Sequence, residues 1–130
     1  MKSQVVVDKG TGRIICTDFA NGKRHDFRLF KESRTRFRAG TEVKADTGCQ
    51  GIHRFHNNSS LPRKKTKKRL LTKEDKMFNR SVSSGRVLNG HIIGHIKRFR
   101  IVAGRYRNRR KRFGLRFNLI SGICNYEMSN

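Results

Sequence analysis

Val5-Val6-Val7-Asp8-Lys9-Gly10-Thr11-Gly12-Arg13-Ile14-Ile15 sets two β-branched runs around a short polar turn. Stiff β-branched side chains pack well on a pleated strand. Gly10 and Gly12 supply positive φ between them, so residues 4–7 and 13–17 read as the arms of a β-hairpin. Outward from it, Asn21-Gly22 marks the next turn. Residues 25–33 carry Phe27, Leu29 and Phe30 in a polar frame, which suits a short helix with Asp26 in its first turn, where a carboxylate complements the helix dipole. Gly40 opens a third extended segment, residues 41–46, that ends at Thr47-Gly48. A polar and then strongly basic stretch with the single proline, Pro62, reads as an inserted loop of about residues 57–72. From Lys73 to Phe99 the pattern turns helical, with Leu88, Ile92, Ile96 and Phe99 at i, i+4, i+8 and i+11. Phe113, Phe117, Ile120 and Cys124 then form a second helical stripe that faces a core. The order is β-hairpin, helix, strand, basic insertion and two C-terminal helices, an α/β arrangement with a small sheet.

At 130 residues the sequence describes one domain, 1–130. Its 34% hydrophobic content excludes a fully disordered chain. No apolar run approaches the length of a bilayer span. Residues 1–7 are too short for a signal peptide, and Asp8 ends their apolar run. Cys16, Cys49 and Cys124 stand far apart without a CxxC pair, which excludes a disulfide framework or zinc ribbon and makes a reducing cytoplasm the expected compartment.

The charge is the strongest compositional signal. Lys+Arg outnumber Asp+Glu by 32 to 9, a net of +23. The excess is unevenly spread, at +6 over residues 1–61, +5 over the short segment 62–75 and +12 over 76–130. No carboxylate stands between Asp75 and Glu127. A solvated face normally interleaves both signs, so this asymmetry points to a polyanion partner. The residues placed to contact phosphates are Arg63, Lys64, Lys65, Lys67, Lys68 and Arg69 in the insertion, and Lys97, Arg98 and Arg100 at the end of the long helix. Arg105, Arg107, Arg109, Arg110, Lys111 and Arg112 follow, with Tyr106 and Asn108 among them for stacking or polar contact. Such cations gain affinity by releasing counterions, a term blind to sequence.

Sites for chemistry are few. Asp46 lies at the end of an expected strand, where ligands gather in α/β sheets. Asp46-Thr47-Gly48 is equally good turn chemistry, in which the carboxylate caps the turn. His91 and His95 have metal-compatible i, i+4 spacing but no third ligand beside them, and His53 and His56 share that shortage. There is no phosphate-cradling glycine loop and no nucleophile–base pair.

Several segments together resemble a known family. They are residues 5–15 quoted above, His25-Asp26-Phe27-Arg28-Leu29-Phe30 and Asp46-Thr47-Gly48-Cys49-Gln50-Gly51-Ile52. Arg86-Val87-Leu88-Asn89-Gly90-His91-Ile92-Ile93-Gly94-His95-Ile96-Lys97-Arg98-Phe99 and Arg105-Tyr106-Arg107-Asn108-Arg109-Arg110-Lys111-Arg112-Phe113 follow in order. From Gln4 to Tyr126 the chain resembles the C-terminal half of a DDE-type transposase from a bacterial insertion sequence, of the insertion-sequence-five-like branch. The resemblance implies a ribonuclease-H-like fold on which three carboxylates hold Mg2+ or other divalent metals. Those metals activate water or a DNA 3′-hydroxyl for in-line attack on phosphodiesters, so the enzyme cuts and joins transposon ends.

Carried onto this sequence, the second acid of the triad is Asp46, as catalytic residue and ancestral metal ligand. The first acid belongs upstream of residue 1, and Asp8 is a turn residue in the family pattern too. Gly90 stands where the third acid, a Glu, belongs, and a glycine has no side-chain oxygen to offer. Gly85 and Gly104 also stand where such transposases often carry an acid; restoring all three would lower +23 to +20. The expectation is therefore a truncated catalytic domain: an incomplete ribonuclease-H-like fold lacking its first strand, inactive alone and marginal in stability. Its expected setting is the nucleoid, bound to DNA, with a separately encoded upstream fragment as a further partner. The second reading, from charge alone, is a small basic nucleic-acid-binding protein without enzymatic function.

Overall fold

Asp8 closes the first turn. In the computed structural model, which describes residues 1–104 and 110–130, its Oδ1 accepts from the Gly10 amide (2.9 Å) and its Oδ2 from Thr11 Oγ1 (3.0 Å). Gly12 takes a positive φ of 73°, whereas Gly10 does not. The turn joins β1 (Lys2–Val7) to β2 (Ile14–Ala20) as an antiparallel hairpin with a register shift between Val6 and Val7. Both arms are longer than the β-branched runs alone indicate. The chain continues through α1 (Asp26–Glu32), β3 (Val43–Lys44), β4 (Ser59–Ser60), α2 (Lys73–Lys97), α3 (Arg100–Ala103) and α4 (Phe113–Ser129). Short 3₁₀ turns stand at Thr47–Cys49, Ile52–Arg54 and Arg110–Arg112. The architecture is mixed α/β with two separate two-stranded sheets.

Three expectations need correction. The extended segment at residues 41–46 contracts to Val43–Lys44, because the Thr41 amide closes a turn onto Arg38 O (2.9 Å) and Asp46 starts the next 3₁₀ turn. The basic insertion is not all loop, since Ser59–Ser60 pairs with β3 in parallel. The long helix stops at Lys97; Phe99 is extended (φ −80°, ψ 115°) and precedes a short helix that periodicity did not reveal.

The backbone packs as two units, Met1–Arg24 with Leu88–Asn130, and His25–Val87. In the first, Ile14, Ile92, Ile96, Phe113, Phe117, Ile120 and Cys124 form the core. The α4 stripe is therefore buried as its 3.6 period requires, with the Phe19 ring edge-on to Phe113 (5.3 Å) and Phe117 (5.2 Å). Asn125 on α4 clips this helix to the hairpin. Its Oδ1 accepts from the Ile14 amide (2.8 Å) and its Nδ2 donates to Ile14 O (2.9 Å), the two bonds a neighbouring strand would make.

The second unit buries Leu29, Phe30, Ile52 and Val82. His25 caps α1 through Nδ1, which accepts from the Phe27 amide (3.4 Å). This unit also buries a carboxylate: Asp75, in the first turn of α2, is 1% exposed.

Candidate functional site

The turn after β3 carries Asp46. The Ala45 amide still donates to Ser60 O (3.0 Å), and the chain then leaves the strand pair. Asp46 Oδ1 accepts from the Thr47 amide (2.6 Å) and Thr47 Oγ1 (3.2 Å), so the side chain caps the 3₁₀ turn. Its Oδ2 meets Arg86 Nη2, projecting from α2, at 3.2 Å. The carboxylate thus caps a turn, as Asp-Thr-Gly chemistry expects, and it stands just beyond a parallel strand, 61% exposed.

The turn fits closely against α1. A Cβ at Gly48 would collide with the Asp26 carboxylate and lie 3.2 Å from its Cβ, so only glycine admits this approach. The Cys49 thiol is pushed up from its ordinary value by burial first, then by the charges of Asp26 and Asp46, with Arg86 opposing them. Lys44 lies along α2 and touches Glu42 Oε1 at 4.0 Å; a Cβ on Gly85 would meet its Nζ at 2.7 Å.

These donors do not fit a divalent metal. One oxygen of Asp46 is held by Thr47 and the other by a guanidinium. Among the described residues no group of three His, Cys, Asp or Glu side chains converges on one point. Gly90 is an exposed residue of α2, with nothing within 4 Å of where its Cβ would be, so the helix surface has room for a Glu there but offers no oxygen. His53, His91 and His95 are exposed, and His56 is buried with Nε2 against Thr41 O (2.6 Å).

The basic residues divide into two groups. Arg63 Nη1 pairs with Asp75 Oδ1 (2.6 Å), its guanidinium covers the Phe78 ring (4.5 Å), and its backbone is held by the Asn79 amide on both sides (2.6 and 2.9 Å). Arg69 Nη2 reaches Asp75 Oδ2 at 3.4 Å. Asp75 accepts further from the Thr72 amide (3.1 Å), and the Asp75 amide in turn donates to Thr72 Oγ1 (3.1 Å), a reciprocal helix cap. The Arg63 bond, then the Thr72 amide, push the Asp75 carboxyl down to about 2. Its cover is thin, because the arginine side chains are themselves 49% and 70% exposed. Lys64, Lys65, Lys67 and Lys68 are exposed and make no ion pair among the described residues. Lys97, Arg100, Lys111 and Arg112 are exposed too, whereas Arg98 pairs with Glu127. Arg105, Arg107 and Arg109 lie outside the described residues, as does the Arg110 side chain.

Sequence reasoning passed over Arg86, Lys44 and Asp75. Arg86 stood inside a quoted motif without a role. Asp75 was hidden by distance along the chain, since Arg63 is twelve positions away.

Compared with known protein families, residues 1–125 match the DDE superfamily endonucleases. The chain belongs to that family. It is 45% identical, over 129 residues, to a Microchaete diplosiphon protein described as "Probable transposase for insertion sequence element IS702". The match covers 99% of this chain and 47% of that protein, so the chain spans about half the length of the curated relative. No solved structure matches.

Proposed function

We propose that the chain is a C-terminal piece of a DDE-type insertion-sequence transposase, which binds DNA through its basic residues and does not cut it alone. The family match and the ordered motifs support the transposase reading. The observation that carries the loss of cutting is the state of Asp46. As the second acid it would hold metal, yet Arg86 occupies its outward oxygen, and among the described residues no group of three His, Cys, Asp or Glu side chains includes it.

DNA binding needs none of that machinery. Lys64, Lys65, Lys67 and Lys68 are exposed and, among the described residues, free of ion pairs, ready to replace counterions on phosphates, and Lys97, Arg100, Lys111 and Arg112 extend the supply. No helix among the described residues is long and apolar enough to cross a membrane. The setting proposed is the bacterial nucleoid.

The test is nicking of terminal inverted-repeat DNA in Mg2+. The purified chain is expected to bind duplex DNA, with log affinity falling by about 0.9 per phosphate contact for each unit of log salt. It is expected to leave the DNA intact. Metal-dependent nicking by this chain alone would overturn the proposal. Cutting is expected to return when Gly90→Glu is combined with an upstream fragment that carries the first acid.

A further inference from the structure

We propose that a cleft of about 310 Å³ in the His25–Val87 unit seats one unpaired nucleotide of a DNA strand. The base lies against the Phe55 ring, and Lys31, Arg34 and Arg36 hold the phosphate. This rests on the chain being a DNA-binding protein, and it adds a second mode to the binding of duplex by the basic insertion.

The floor of the cleft is rigid and aromatic. Phe30 is buried and stacks parallel to Phe37, with centroids 6.4 Å apart and planes 6° apart. Phe37 in turn meets the edge of His56 (5.6 Å), a ring fixed by its bond to Thr41 O. Phe55 touches Phe27 and Phe30 edge-on (5.8 and 6.5 Å) yet is 61% exposed. A half-bare ring beside a packed aromatic floor is a stacking surface without its partner, and the flat face of a base completes it.

The rim is cationic. Lys31, Arg34 and Arg36 line the cleft, and no carboxylate does. Glu32, next in sequence, is turned to Arg28 (3.0 Å). Lys31 is held over the Phe27 ring at 5.0 Å, and Arg34 and Arg36 make no ion pair among the described residues. Arg34 sits in the left-handed region at φ 54°, a conformation a non-glycine residue holds at a cost and one that clusters at ligand clamps. Ser33 Oγ, bonded to Thr35 Oγ1 (2.8 Å) and to Phe30 O (2.7 Å), braces the backbone on either side of Arg34.

An unpaired base fits this chemistry better than a duplex does. In a duplex the base faces are stacked on one another, so a protein reaches phosphates and groove edges only. A cleft that offers ring faces together with cations matches a base and its phosphate, and its volume lies at the small end for ligand pockets, of roughly 300–1,000 Å³.

The experiment compares a labelled oligothymidylate with a labelled duplex of equal length, bound to the full chain. Phe55→Ala, whose exposed ring leaves the core intact, is expected to weaken strand binding roughly 5- to 150-fold and to change duplex binding less than about twofold. Arg34→Gly keeps the left-handed backbone while removing the cation, and is expected to make the salt dependence of strand binding shallower by about 0.7. The sequence has no tryptophan, so Phe55→Trp adds a unique fluorophore. Its emission is expected to be quenched by the strand and not by the duplex. The proposal is overturned if Phe55→Ala leaves strand affinity unchanged, if strand and duplex affinity fall together, or if the introduced tryptophan does not respond to the strand. In each of these results duplex binding by the parent chain still upholds the DNA-binding reading. Loss of duplex binding on changing Lys64, Lys65, Lys67 and Lys68 to Ala tests that reading separately.

Discussion

The two units of this chain are held together by different physics. In the unit of Met1–Arg24 and Leu88–Asn130, rings and branched chains from α2, α4 and the hairpin share one apolar core. In His25–Val87 the elements are short, β3 and β4 are two residues each, and the long segment before α2 is tied down by the buried Asp75. Apolar burial is indifferent to pH, whereas a carboxylate network is not. The same polypeptide therefore carries one region whose stability follows packing and one whose stability follows protonation. α2 passes through both, so the distinction can be broken by experiment.

The largest expected effect is in the apolar unit. Phe117 is 2% exposed and packs against the rings of Phe19 and Phe113. Phe117→Ala is expected to destabilise by about 3–5 kcal/mol, the usual cost of emptying a buried aromatic site. Amide hydrogen exchange locates the damage. Protection is expected to fall in β1, β2 and α4 while α1 and the Asp46 turn keep theirs. Equal loss throughout would mean that the two units unfold as one, and the comparison would fail.

Acid is the next lever. The Asp75 carboxyl is depressed to about 2, against an ordinary value of about 3.9. A depressed carboxyl contributes stability that is complete above the ordinary value and is lost as pH falls through the folded one. The His25–Val87 unit is therefore expected to weaken between about pH 4 and pH 2, and Asp75→Asn to remove that part of the pH dependence. Thermal melts of the two proteins at stepped pH should converge as the pH approaches 2. If their difference is the same at pH 6 and pH 2, Asp75 is not the source.

How much was legible follows the same division. Phe113, Phe117, Ile120 and Cys124 announced themselves because one helix period places them on one face, and all four are buried. The opposite face of α4 was not legible. Leu115 and Leu119 are 72% and 66% exposed, apolar residues off the stripe whose exposure no local pattern marks. In the other unit, the segment Arg63-Lys64-Lys65-Thr66-Lys67-Lys68-Arg69 reads as one uniform cationic run. Folding divides it, with both arginines turned to Asp75 and the four lysines left in solvent. No local pattern marks that choice, which depends on loop closure and on the fork geometry that lets a guanidinium cover a carboxylate. Asp46 was legible as a residue of consequence, while its tie to Arg86, forty positions on, was not.

The smallest effect sharpens the comparison within one helix. Gly85 and Gly90 both interrupt α2, Gly85 in the His25–Val87 unit and Gly90 in the other. A glycine inside a helix costs up to about 1 kcal/mol relative to alanine, through backbone entropy. Nothing stands within 4 Å of a Cβ at Gly90, so Gly90→Ala is expected to gain most of that amount. At Gly85 the new methyl would meet Lys44 Nζ at 2.7 Å and Cδ at 2.8 Å. The lysine must swing away, giving up its packing along the helix, and the gain should shrink to a few tenths of a kcal/mol or vanish. Chemical denaturation of the two single variants, read at equal slope, gives the difference directly. Equal gains would show that Lys44 does not rest on Gly85 in solution. A smaller gain at Gly85 would show that the glycine leaves room for the lysine, while Gly90 marks a vacancy with no structural purpose, the place where the family resemblance expects a glutamate.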